Sequence, residues 1–285
     1  MDRCMICGGK KLSHWDNKDG YHIYACGDCG HGSVYPRPSV EELTEFYESH
    51  QEDVNLKEVS HNQAHDLAFS EVKGKLEPLG ITGGNMLDVA AGYGWLSERF
   101  HNVGYNVTPL EIAPVFADHM RKTLSVDVIQ SSFEDWKPSN DHYGRYDLII
   151  MWQIMEHVLY PDEWFTKAYQ LLADGGALVV TTPNFDSVLI SLLKSKEGHI
   201  CPPEHLNFFS VDSIRALSNR TGFKQSHVSC PVEGTDFFQE KLTRRLNSKP
   251  LARLTSRVIQ SGLRAASLLN KGRYIQGIFI KKESA

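Results

Sequence analysis

Asn85-Met-Leu-Asp-Val-Ala-Ala-Gly-Tyr-Gly-Trp-Leu-Ser-Glu-Arg99 is the stretch on which the fold turns. Met86 to Ala91 carry apolar side chains around a single acid, Asp88, the pattern of a parallel strand that ends at the ligand-facing edge of its sheet. Gly92 and Gly94 let the backbone turn sharply and approach a ligand with no Cβ in the way. A glycine turn between strand and helix occurs in many α/β proteins, so the next acid carries more weight. Tyr105 to Leu110 read as a second strand, and Glu111 follows directly, 23 residues after Asp88. In a doubly wound sheet that places a carboxylate, with Ile112 beside it, where it can accept both hydroxyl hydrogens of a ribose. No second phosphate-type glycine loop follows, which points to a nucleoside without a pyrophosphate.

With these landmarks in order, the chain resembles the class I S-adenosylmethionine-dependent methyltransferases over about residues 80 to 230. Further matches are Ser132 and Phe133 in Gln130-Ser-Ser-Phe-Glu-Asp-Trp136, the fourth strand Tyr146-Asp-Leu-Ile-Ile-Met-Trp152, and Leu172 to Asn184 as a turn and fifth strand. The resemblance implies a Rossmann-like α/β fold with a seven-stranded sheet. It also implies that S-adenosyl-L-methionine is held by Asp88, Ala90, Gly92, Gly94, Glu111 and Ile112, with Ser132 and Phe133 by the adenine and Trp152 nearby. Ala90 stands where the family usually has its first glycine, and Ser132 where an aspartate is common. Alanine takes little room and serine still accepts a hydrogen bond, so both should weaken affinity rather than abolish it.

At 285 residues and 41% apolar content the chain can bury one large core with room for an accessory module. No secretory leader pattern follows Met1 and no run approaches the roughly 18 apolar residues that span a bilayer, so the expected location is cytoplasmic. Charge is unevenly spread. The formal net charge is -5, yet from Thr235 onward eleven Lys/Arg face three Asp/Glu. Contact with an anionic surface or ligand is therefore expected in the last fifty residues.

Residues 1–38 read as a zinc ribbon ahead of a methyltransferase domain at 39–285. Cys4-Met-Ile-Cys7 and Cys26-Gly-Asp-Cys29 are two CxxC knuckles 18 residues apart, the spacing of a tetrahedral four-thiolate site. Two disulfides are the competing pairing, which a reducing cytosol disfavours. Four cysteines leave no open coordination position, so zinc here would be structural. Met1 to Val40 hold five Lys/Arg and four Asp/Glu with no basic stripe, which argues against nucleic acid as the ribbon's partner. Tyr35-Pro-Arg-Pro38 reads as a stiff linker, Ser39 and Glu42 as a capping box for a helix through about Ser49, and His61 to Leu79 as a second helix.

Two segments carry candidate chemistry. Trp152-Gln-Ile-Met-Glu-His-Val158 follows the fourth strand, and Glu156 and His157 could act as acid-base groups or as ligands of a divalent metal. The pair resembles that of ubiquinone-pathway O-methyltransferases and small-RNA 2′-O-methyltransferases, where such residues contribute to a metal site. Those families usually carry another glutamate three positions earlier, where this chain has Gln153. Cys201-Pro-Pro-Glu-His-Leu-Asn-Phe-Phe-Ser210 is a proline-pinned loop similar to a signature of deoxysugar C-methyltransferases, which also begin with a zinc-binding domain. That resemblance implies His205 as general base with Glu204 beside it; the alternative is that His205 braces the following helix. Those sugar enzymes carry a large carboxy-terminal domain that has no counterpart in this chain. Cys201 and Cys230 read as ordinary small side chains.

Phe223 to Ser229 and Tyr274 to Lys281 read as the last two strands, which leaves about 231–272 as a helical insertion. Leu251, Leu254, Val258, Ile259, Ala265 and Leu269 fall on one helical face, and Arg253, Arg257 and Arg264 fall opposite. A lid over the active-site mouth, a peripheral contact with anionic lipid, and a site for a phosphate-bearing substrate all suit that pattern. The expected function is methyl transfer to oxygen or carbon of a small-molecule acceptor, such as a sugar or other secondary metabolite. An RNA methyltransferase and a non-catalytic scaffold are the alternatives.

Overall fold

The computed structural model describes residues 2–49, 63–231, 261–262 and 264–283. Its larger sheet runs in the order β5 (Tyr105–Leu110), β4 (Gly84–Val89), β6 (Tyr146–Trp152), β7 (Leu172–Pro183), β10 (Tyr274–Ile280), β9 (Lys224–Ser229). Strands β5, β4, β6 and β7 are parallel, and β10 is antiparallel to both of its neighbours. From β4 the chain goes first to β5 on one side and later to β6 on the other, so a crevice opens above the ends of these strands.

The Rossmann-like sheet expected of the chain is present, with six hydrogen-bonded strands among the described residues. The seventh position is held by a parallel bridge between Leu110 and Ile129, where Glu111 N–H donates to Ile129 O and Ile129 N–H to Pro109 O. Val126, Val128 and Ile129 are only partly buried, and Asp127 and Gln130 are exposed, so this segment pairs at a single bridge rather than as a full strand.

Period-two alternation assigns the strand side chains to two cores. Leu87, Val89, Ile149, Met151, Leu178 and Val180 face α5 (Pro161–Leu171) and α7 (Val211–Arg220), with Trp164, Phe165 and Leu217. Met86, Leu148, Ile150, Ala177 and Val179 face α2 (Gln63–Leu76) and α3 (Trp95–Asn102), with Val72, Leu76, Leu96 and Phe100. Each large side chain removed from water here stabilises the fold by about 2 kcal/mol. The capping box expected at the first helix forms: Ser39 N–H donates to Glu42 Oε2 at 2.7 Å, and Glu42 N–H to Ser39 Oγ at 3.2 Å, ahead of α1 (Val40–Ser49).

A second sheet has the order β1 (Leu12–Lys18), β2 (Tyr21–Cys26), β3 (Gly32–Tyr35), β8 (Asn207–Phe208). Its first three strands come from the amino-terminal module and its fourth from the loop after β7, where Gly32 and Ser33 pair with Phe208 and Asn207. Asp19 and Gly20 both take positive φ, the geometry that closes a two-residue hairpin between β1 and β2. Ser210 Oγ donates to Cys29 O, and Arg220 donates to the carbonyls of Met5 and Ile6. Cys4, Ile6, Cys26 and Cys29 are buried in the same core as the sheet.

Leu251, Arg253, Leu254, Arg257, Val258 and Ile259 of the expected helical insertion lie outside the described residues. Residues 264–268 are helical. Their packing differs from the expected apolar face: Ala266 is buried, whereas Leu269 is 73% exposed. This last turn is held by its junction with Cys230, whose carbonyl accepts from Ser267 Oγ, rather than by a leucine row. Among the described residues no helix is long and apolar enough to cross a membrane.

Candidate active site

The crevice above β4 and β5 is built almost entirely from one stretch of chain. Asp88 is 2% exposed and accepts from Ser97 Oγ at 2.7 Å; burial, with Glu111 nearby, pushes its carboxyl up to about 7 despite the Ser97 bond. Gly92 turns at φ 57° and its N–H donates to Glu111 Oε2 at 2.8 Å, while Ala113 N–H donates to Oε1 at 2.8 Å. Burial raises Glu111 against the pull of these two N–H groups. Gly94 at φ 83° starts α3, and a Cβ there would lie 2.6 Å from Met120.

Ala90 sits at φ 56°, in the left-handed region. The cost of alanine at the family's glycine position is therefore backbone strain, about 1 to 2 kcal/mol, rather than lost room. Ile112 is 64% exposed, an apolar side chain standing free beside the carboxylate. Ser132 Oγ donates to Asp135 Oδ2 at 2.8 Å and accepts from Asp135 N–H at 3.0 Å, so the neighbouring aspartate takes up its hydroxyl. Phe133 differs from expectation. Its ring is 1% exposed, packed against Trp164 with Lys167 Nζ 4.7 Å from its centroid, and offers no free face to an adenine. Trp152, at the end of β6, meets Trp95 edge-on at 5.3 Å.

The opposite end of the crevice is assembled from two loops. Glu156 and His157 follow β6; His205 lies on the loop between β7 and β8. One ligating atom from each of the three lies within 4.8 Å of the others. His205 is 8% exposed and donates Nδ1–H to His199 O at 2.8 Å, which leaves Nε2 with its lone pair free. His157 donates Nδ1–H to Glu204 O at 3.0 Å, with Tyr47 Oη 3.3 Å from the same nitrogen. The two rings meet edge-on at 4.7 Å. Burial lowers His157 to about 3 and lowers His205, and burial pushes Glu156 up to about 7. Among the described residues Glu156 Oε2 is buried with no hydrogen-bond partner. A buried carboxylate clustered with two imidazoles is a donor set suited to a divalent cation. Glu204 is exposed, with its carbonyl orienting His157 and its carboxylate beside the Cys201 thiol.

Arg37, Tyr47, His199 and Asn207 also belong to this end, and none is singled out by sequence motif. Arg37 lies in what reads as a linker. The only hint is a lone charge set between two prolines.

None of the four cysteines is disulfide-bonded, with Cys4 and Cys29 Sγ 3.7 Å apart and Cys7 and Cys26 Sγ 3.6 Å apart. All four sulfurs lie within 4.8 Å of one another. Gly8 and Gly30, at φ 75° and 73°, turn the knuckles back, with Gly8 N–H donating to Cys4 O and Gly30 N–H to Cys26 O.

A family model described as a methyltransferase domain matches residues 61–228. The ubiquinone biosynthesis O-methyltransferase of Caulobacter sp. (strain K31) is 26% identical over 145 residues, 46% of this chain and 56% of its own length. That of Shewanella pealeana is 30% identical over 112 residues, 37% and 46% respectively. The chain thus spans about half the length of the curated relatives it matches. Among solved structures, Burkholderia thailandensis 1,6-didemethyltoxoflavin-N1-methyltransferase, with its acceptor and S-adenosylhomocysteine bound, superposes at TM-score 0.54 and 13% identity, covering 96% of this chain and 100% of that one. Geranyl diphosphate C-methyltransferase of Streptomyces coelicolor gives TM-score 0.53 at 14% identity, covering 76% and 80%.

Proposed function

Because the chain belongs to the methyltransferase-domain family, we propose that it transfers a methyl group from S-adenosylmethionine to a hydroxyl of a small-molecule acceptor, such as a sugar or other secondary metabolite. Glu111 takes the ribose hydroxyls, Ile112 packs on the adenine, and the turn through Ala90, Gly92 and Gly94 passes under the methionine portion, with Asp88 bracing it and Ser132 at the adenine edge. The observation that carries the acceptor chemistry is that one ligating atom from each of Glu156, His157 and His205 lies within 4.8 Å of the others.

In the transfer, the acceptor oxygen attacks the methyl carbon, the C–S bond breaks, and its electron pair stays on sulfur. The hydroxyl proton leaves as the new C–O bond forms, and His205 Nε2 is the group that takes it, held in orientation by its Nδ1–H bond to His199 O. Glu156, His157 and His205 would also hold a divalent cation, which when bound would acidify the acceptor hydroxyl. The orphaned Glu156 Oε2 favours that second reading. The relatives named as O-methyltransferases support oxygen as the atom methylated.

We also propose structural zinc at Cys4, Cys7, Cys26 and Cys29. A tetrahedron with Zn–S near 2.3 Å has edges of about 3.8 Å, which the 3.7 and 3.6 Å pairs approach. Tritiated S-adenosylmethionine offered to the zinc-loaded protein with a panel of catechols and sugar nucleotides, with or without added magnesium, tests these readings. Transfer that proceeds without magnesium supports His205 as base, and transfer that needs it, with zinc retained in native mass spectrometry, supports the cation. No binding of S-adenosylmethionine in calorimetry would overturn methyl transfer altogether.

A further inference from the structure

His157 and His205 stand on separate loops, 48 residues apart in the chain, so their spacing has to be imposed by something outside either loop. Part of that constraint is local: Leu206 N–H and Asn207 N–H both donate to Glu156 O, at 2.7 and 3.1 Å. The rest comes from the amino-terminal module. One guanidinium nitrogen of Arg37 donates to Leu206 O and to Asn207 Oδ1, both at 3.1 Å, on the His205 side. The other donates to Val158 O at 3.1 Å and Leu159 O at 2.6 Å, on the His157 side. Asn207 completes the link, its amide donating to Met155 O at 3.1 Å and Val158 O at 2.7 Å.

The surroundings of this residue are unusual for a structural arginine. Among the described residues no carboxylate lies within ion-pair distance of Arg37, and burial lowers its guanidinium to about 10. Its positive charge is met by carbonyl and amide oxygens alone. That arrangement loses solvation without gaining an ion pair, and is a poor way to stabilise a fold. It is a good way to fix distance. A planar fork can address two loops at once, which a lysine ammonium cannot reproduce.

We propose that Arg37, acting with Asn207, is a positioning residue for methyl transfer: it sets the separation of the His157 and His205 loops, and so makes the cysteine module part of the active site. The inference rests on the reading of those two histidines as acceptor-side groups. It adds a residue from outside the methyltransferase-domain match, which begins at residue 61.

The test compares Arg37→Lys with Arg220→Met and His205→Ala in the full-length, zinc-loaded protein. Arg220 also ties the module down, through Met5 O and Ile6 O, but touches neither loop. Methyl transfer to the acceptor found in the panel, with catechol as the first probe, is read alongside hydrogen exchange and calorimetric affinity for S-adenosylmethionine. Arg37→Lys should lower kcat about tenfold to a hundredfold, leave KM and cofactor affinity within about twofold, and speed exchange at residues 154–159 and 199–208. Arg220→Met should leave kcat near the wild-type value. Wild-type kcat in Arg37→Lys, or an equal loss in Arg220→Met, overturns the proposal while leaving the histidine reading intact. Full activity in His205→Ala overturns both. Should the panel give no turnover, exchange decides: acceleration confined to the two loops supports the proposal, and unchanged exchange overturns it.

Discussion

The two ends of the crevice are made in different ways. At the cofactor end, Asp88, Ala90, Gly92, Gly94 and Glu111 lie within a single strand-turn-helix-strand run, and the bonds that shape it, Ser97 to Asp88 and Gly92 to Glu111, join residues 9 and 19 apart. At the acceptor end, the bonds join Arg37 to Leu206, 169 residues away, His157 to Glu204, 47 away, and Asn207 to Met155, 52 away. A locally coded end can be damaged one residue at a time. An end assembled from three distant segments should fail as a unit, and should respond to changes made in the cysteine module.

The largest expected effect is His205→Ala, which should lower kcat by about 10² to 10⁴-fold with cofactor affinity unchanged in calorimetry. A matching loss of cofactor affinity would mean that the two ends are not separable. Next comes Cys26→Ser. Native mass spectrometry should show one zinc lost, and calorimetric melting should fall by about 5 to 10 °C. Because β3 pairs with β8 beside His205, turnover should drop in this variant before cofactor affinity does. Equal stability without metal would remove the zinc assignment. Glu111→Ala should then weaken S-adenosylmethionine binding by about tenfold or more, the cost of a lost charge-assisted pair of hydrogen bonds, with kcat at saturating cofactor nearly kept.

Two smaller effects concern the cofactor end by itself. Asp88 has its folded-state pKa raised from the ordinary carboxylate range to about 7. Between about pH 4 and pH 7 the native state therefore holds a proton that the unfolded chain has released, and this contribution falls as pH rises. Asp88→Asn should accordingly flatten the decline of stability over that window, by on the order of 2 kcal/mol at pH 7 and almost nothing at pH 4. Denaturant melts at the two pH values measure it. Smallest is Ala90→Gly. Relief of the left-handed strain at φ 56° is offset by the greater freedom of glycine in the unfolded chain, leaving a gain of about 0.5 to 1 kcal/mol. A destabilised glycine variant would show that the turn is not strained.

Particular residues show where sequence reasoning reaches and where it stops. Tyr105–Leu110 and Tyr146–Trp152 form strands as their apolar runs predict, and Gly92 and Gly94 adopt the positive φ for which glycine is suited. Phe133 was open to misreading because a motif position says nothing about which way a ring points; Trp164 and Lys167, more than thirty residues on, enclose it. Glu204 and His205 are neighbours in the same loop, yet one is exposed and the other buried.

By itself the sequence determined the strand, the glycine turn, the carboxylate that follows the second strand and the paired CxxC knuckles, because each is written within a few residues and follows from local periodicity, backbone freedom or ligand spacing. Only the tertiary structure decided that Glu156, His157 and His205 converge, that β8 joins the sheet of the cysteine module, and that Arg37 spans the two loops. Those relations depend on segments brought together by packing two cores against one sheet, and no local pattern in the chain encodes a distance across 48 or 169 residues.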